Sequence, residues 1–221
     1  MNVIISQNNE GAAYLRAGNC SAAIVSFSSA MEMLRSSHRD LLKNANDPVD
    51  TNYRENPTIL PKLKSSTDDE VVSEAGDTIY DQAFGLVASQ DTSNATLSDI
   101  NLFTTTLLFN LGLCYHLRST IDIDSSRFLD TKRAKRMYNI GIKAFFAMAQ
   151  SSTESLHPSV YSLLAVLSNN LGCIAVEEYD YDTVDHCIEW TYVEDIPKEV
   201  PSILLNHNSW RSFRAKPAPA A

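Results

Sequence analysis

An Asn-x-Gly triplet occurs three times inside an apolar helical run, at Asn9-Glu10-Gly11, Asn110-Leu111-Gly112 and Asn170-Leu171-Gly172. Each is followed by a second run in which small and aromatic residues recur at fixed offsets. Such recurrence specifies a repeated unit of two helices, because one helical hairpin cannot bury its apolar face alone and is completed by the next one stacked on it. The expected fold class is all-α: antiparallel helical hairpins, stacked so as to leave a groove built for binding rather than for chemistry.

The first unit shows the pattern most plainly. In its second helix Ala23, Ile24, Phe27, Ala30, Met31 and Leu34 recur at intervals of three and four, which places them on one helical face. Gly18-Asn19 supplies the break between the helices, since glycine takes the left-handed conformation that ends a helix without a Cβ clash. The second unit carries Gly112 and Tyr115 on its first helix and Ala134, Tyr138 and Gly141 on its second. Tyr115 and Ala134 are nineteen residues apart where Tyr14 and Ala23 are nine apart, so ten extra residues lengthen the turn or the helices beside it. The third unit keeps the shorter interval, from Ala175 to Val184, with Gly172, Ile188 and Thr191 at the corresponding places. Pro158 suits the first turn of its first helix, where a missing N–H is not needed.

Gly11 and Tyr14, then Ala23, Phe27 and Ala30, resemble the tetratricopeptide repeat, whose pattern is G-x-x-Y followed by A-x-x-x-F. Size is the physical logic: Gly11 and Ala23 let two helices approach, while Tyr14 and Phe27 fill the space beside that contact. The resemblance covers about 130 residues in three pieces. It implies a short right-handed solenoid, with repeat 1 over residues 2–43, an insertion over 44–97, repeat 2 over 98–150, repeat 3 over 157–195 and a C-terminal cap and tail over 198–221, all in one domain.

The same resemblance places Asn9, Asn110 and Asn170 at one equivalent position on the concave face. A row of amides there donates to and accepts from the main chain of an extended peptide without demanding a sequence; alternatively each amide satisfies the backbone of a neighbouring helix. The register adds Ala12 and Arg16, then Phe109, Leu113 and His116, then Asn169, Cys173 and Glu177 as groove neighbours. Relatives that clamp the terminal carboxylate of chaperones use Lys and Arg at set positions; Asn8, Val166 and Asn170 stand there, which argues against that ligand.

The insertion is rich in Asn, Asp, Ser, Thr and Pro and reads largely as loop. Within it, Thr78-Ile-Tyr-Asp-Gln-Ala-Phe-Gly-Leu-Val87 is apolar and rich in aromatic and branched residues, and is expected to lie on the helices as an extended or strand-like piece. Two roles stay open for it: a cover for an exposed apolar edge, or a built-in pseudo-ligand occupying the groove. Ser65, Ser66 and Thr67 precede acidic residues in a pattern that acidophilic kinases favour. At the C-terminus Ile203, Leu204 and Leu205 suit a capping helix, and Trp210 and Phe213 beside Arg211 and Arg214 form a candidate docking tail.

Lys+Arg 18 against Asp+Glu 27 gives a net charge of -9, a field that repels nucleic acid and anionic membrane. The apolar stretches are interrupted before the roughly 18 residues of a membrane span, and no signal peptide is read at the start. Cys20, Cys114, Cys173 and Cys187 form no C-x-x-C pair and read as reduced core residues of an intracellular chain, cytoplasmic or alternatively nuclear. Lys132-Arg-Ala-Lys-Arg136 reads as a solvated helix face. His186-Cys187 beside Asp182 and Asp185 is too sparse for zinc, and no nucleophile, phosphate-loop or metalloprotease motif occurs. The expectation is thus a non-enzyme with no cofactor and no metal: an adaptor or scaffold binding a protein or extended peptide on the concave face. The alternative is a structural or assembly subunit, in a larger complex or a homo-oligomer, whose groove is filled by its own insertion.

Overall fold

The computed structural model describes residues 1–44, 71–72, 78–86, 97–121, 126–151 and 158–191. The described part is helical, with six helices: α1 (Asn2–Arg16), α2 (Cys20–Asn44), α3 (Leu97–Ile121), α4 (Ser126–Ser151), α5 (Pro158–Glu177) and α6 (Tyr181–Thr191). Two short strands, β1 (Val71–Val72) and β2 (Thr78–Ile79), pair antiparallel with Val71 opposite Ile79. Trp210, Phe213, the proposed cap and Ser65, Ser66 and Thr67 lie outside the described residues.

Each helix packs on the next in the chain, and α1, α3 and α5 also touch in that order. The stripe read on α2 is buried at five of its six positions, Ala23, Phe27 and Ala30 fully and Met31 and Leu34 nearly so, while Ile24 is only partly buried. A Cβ added to Gly11 would stand 2.7 Å from the Phe27 ring, and one added to Gly112 would stand 2.6 Å from the Tyr138 ring. These two glycines therefore set the closeness of α1 to α2 and of α3 to α4. Tyr14 does not share that role. It is 37% exposed and its hydroxyl donates to Glu10 on its own helix at 3.3 Å, so Phe27 alone fills the gap.

The two short turns use one solution with different residues. Gly18 closes α1 at φ 74°, and Tyr179 closes α5 at φ 58°. The N–H of Asn19 then reaches Tyr14 O at 2.9 Å and that of Asp180 reaches Ala175 O at 2.8 Å, satisfying carbonyls that the helix leaves bare. Asn19 Oδ1 accepts from the N–H of Ala22 and Asp180 Oδ1 from that of Thr183, so each also caps the helix that follows. Nothing lies within 4 Å of a Cβ placed on Gly18, which makes the cost of a side chain there purely conformational. Gly18→Ala is expected to lose about 1 kcal/mol in urea unfolding.

The ten extra residues of the second unit lengthen helices more than they lengthen the turn. Counted from Gly112, α3 runs four residues beyond the equivalent end of α1, and α4 starts five residues earlier than α2 counted from the paired alanine. The added turns are held by Asp130, whose side chain is 1% exposed and accepts from Arg118 Nε at 2.6 Å, Arg118 Nη2 at 2.7 Å and Arg133 Nη1 at 3.1 Å. Both guanidinium groups also lie over the Tyr115 ring, at 5.4 and 5.6 Å. The basic run read as a solvated face is in fact partly engaged: Arg133 serves Asp130, and Lys135 joins α4 to Glu178 and Asp180 at the α5–α6 turn. Among the described residues, Val160–Glu177 is the one helix long and apolar enough to cross a membrane, and 89% of it is buried inside the fold as a core helix.

Candidate functional site: an amide row holding an internal strand

Asn9, Asn110 and Asn170 sit two residues before the glycines of α1, α3 and α5, and all three meet the extended segment 78–86. Each clamps one residue by both main-chain groups. The Leu86 N–H donates to Asn9 Oδ1 at 2.8 Å while Asn9 Nδ2 donates to Leu86 O at 2.8 Å. Phe84 makes the same exchange with Asn110, at 2.9 and 3.0 Å, and Tyr80 with Asn170, at 2.8 and 2.9 Å. A side-chain amide carries the same donor and acceptor as a peptide unit, so each asparagine stands in for one residue of a neighbouring strand. The double contact also fixes which way each amide faces, because the backbone N–H must meet Oδ1.

The three clamped residues have one parity. In an extended chain alternate residues turn their N–H and C=O to the same side, which is the parity that 80, 84 and 86 share. The segment runs against the order of the helices, with Leu86 on α1, Phe84 on α3 and Tyr80 on α5.

Neighbouring amides reinforce the row. Asn110 Nδ2 donates its second hydrogen to Asn8 Oδ1 at 2.9 Å, and Asn8 Nδ2 reaches Phe84 O at 3.0 Å. Asn169 Nδ2 donates to Asn170 Oδ1 at 3.1 Å, and Asn170 Nδ2 extends to the Tyr138 hydroxyl at 3.4 Å. The Asn8-Asn9 and Asn169-Asn170 doublets are visible in the sequence, where Asn8 argues only against a carboxylate clamp; its place in the row comes from the fold.

The side chains of the segment complete a core. Ile79, Phe84 and Leu86 are buried, and the Phe84 ring meets Phe109 edge-on at 5.1 Å and stacks with Tyr80 at 5.9 Å. Phe109 continues to Tyr138, and Tyr138 to His116, as one column of rings at 6.1 and 5.9 Å. Burial, and secondarily the Asp81 charge, pushes the Tyr80 phenol up to about 12. Burial alone holds the His116 imidazole down to about 4; its Nδ1 lies 3.4 Å from the Tyr138 hydroxyl and its Nε2 is enclosed without a hydrogen-bond partner.

The other groove candidates are distributed differently from the sequence reading. Phe109 and Asn169 belong to the site, Phe109 as a wall and Asn169 behind Asn170. His116 is buried against Tyr138 with its Nε2 enclosed, so it presents no ring edge to a ligand. Arg16 is exposed and its Nε returns to Ala12 O of its own helix, while Glu177 ends α5 seven residues past Asn170. Cys20, Cys114, Cys173 and Cys187 are buried and joined in no disulfide, and burial raises the thiol pKa of Cys114 and Cys187. His186 is exposed, with Nδ1 2.6 Å from Asp182 O, whereas Cys187 is enclosed. Among the described residues no group of three or more His, Cys, Asp or Glu is gathered as metal ligands would be.

Comparison with protein-family models, with curated proteins and with solved structures returned no match.

Proposed function

We propose that this chain is a non-enzymatic protein-interaction module of stacked tetratricopeptide-like hairpins, with the amide row as its recognition surface and its own segment 78–86 as the resident ligand. One observation carries the reading: three asparagines at one repeat position each take the N–H and C=O of a single residue of an extended strand. That contact reads backbone and shape, which is how a groove binds a peptide in β-like geometry. A binding groove differs from a permanent core in that its strand leaves while the helices stay folded. Amide hydrogen exchange is therefore expected to show the N–H groups of Tyr80, Phe84 and Leu86 exchanging at least tenfold faster than the most protected amides of α3 and α5. Exchange of all of them at one global rate would sink the reading.

The burial of Ile79, Phe84 and Leu86 favours a second reading, a structural or assembly subunit with its groove closed from within. That reading expects a single global exchange rate, together with a stable oligomer or a stoichiometric partner by light scattering.

A further inference from the structure

The amide row makes its six hydrogen bonds to main-chain groups and so accepts any extended chain that keeps the 80, 84, 86 spacing. Selection falls to the side chains between them. Tyr80 and Phe84 stack on each other and close on Phe109, and Ile79 and Leu86 are enclosed at either end. None of these four anchoring side chains is charged, and the walls that enclose Phe84 are aromatic and amide.

We infer that the groove binds, in place of its resident segment, an extended peptide of a partner protein bearing an aliphatic residue, an aromatic directly after it, a second aromatic four residues later and an aliphatic two beyond that. The peptide runs from α5 to α1. The inference rests on the interaction-module reading above and names the partner's chemistry. The resident segment belongs to the same chain as the groove, continuous in sequence with α2 through residues 45–77, β1 among them, and with α3 through residues 87–96, so it competes as an intramolecular ligand, for which effective concentrations reach about the millimolar range. A free peptide must outcompete it, so the groove in the resting chain takes up a partner weakly and gains affinity when the resident's anchors are weakened.

The probe is a labelled synthetic peptide of residues 77–88, added to the full-length chain and followed by fluorescence anisotropy. The hosts are wild type, Phe84→Ser and, as a milder change that keeps the buried ring, Leu86→Ser, each checked for helicity by circular dichroism. The weakened hosts are expected to bind the peptide at least tenfold tighter than wild type. Adding Asn110→Ala to either host, or placing Ser at the Phe84 and Leu86 positions of the peptide, is expected to cost at least tenfold. A folded weakened host that binds no tighter than wild type overturns the inference, and so does tight binding that survives Asn110→Ala. Should neither weakened host fold, wild type with millimolar peptide replaces them, and no uptake there overturns it equally. Rapid exchange of the Tyr80, Phe84 and Leu86 amides without peptide uptake would defeat this inference and leave the interaction-module reading standing; one global exchange rate would defeat the latter.

Discussion

Asn110→Ala is expected to lower stability by about 3 kcal/mol, whereas Asn9→Ala, with the same double contact, loses about 1 kcal/mol. Burial makes the difference. Asn110 is fully enclosed, and its loss leaves the Phe84 N–H and Asn8 Oδ1 without the partners they now have, in a place where each unpaired polar group costs about 1–3 kcal/mol. Asn9 is exposed, so water takes over the Leu86 N–H and C=O when the amide is removed. Urea unfolding of the two variants beside wild type checks the contrast. Equal losses would mean that the row contributes through helix packing rather than through its hold on the strand.

Acid is expected to remove about 3 kcal/mol of stability between pH 6.5 and pH 4 through His116 alone, at about 1.4 kcal/mol per pH unit of displacement. In the unfolded chain an imidazole takes its proton near pH 6.5; in the folded chain His116 refuses it until about 4. Between those values the unfolded state holds more protons, so stability falls as pH falls, and below about 4 His116 takes away no more. Asp130 and Asp180 act later. The Arg118 hydrogen bonds hold the Asp130 carboxyl below its usual range, and the Thr183 hydroxyl does the same for Asp180, so their contributions persist above the ordinary carboxylate pKa and are lost only at more acid pH. Urea midpoints at pH 7, 5.5 and 4 measure the loss, and His116→Gln should flatten the profile over that interval. A slope that survives the substitution would assign it to other groups.

What the sequence made readable follows from local geometry. Asn-x-Gly in an apolar run marks a helix that must approach its neighbour closely, and Gly11 and Gly112 stand against Phe27 and Tyr138 as that logic requires. Gly18 reads as a turn, yet Tyr179 holds the same left-handed place in α5 with nothing in its chemistry to announce it. Arg118 and Asp130 carried no signal, since their pairing depends on how far two helices extend past a turn of altered length. The amide row and the apolar segment were both visible, but not their union. Asn9, Asn110 and Asn170 lie 77, 26 and 90 residues from the residues they clamp, and no periodicity links positions that far apart.

The course of segment 78–86 across α1, α3 and α5 bears on how the chain unfolds. Stacked hairpins ordinarily feel only their immediate neighbours and can open from an end, one unit at a time. Here one segment is fastened to α1, α3 and α5, so α1 cannot leave without releasing Leu86, nor α5 without releasing Tyr80. The segment couples helices that do not adjoin in sequence, which favours their unfolding as one cooperative body for as long as it stays in place.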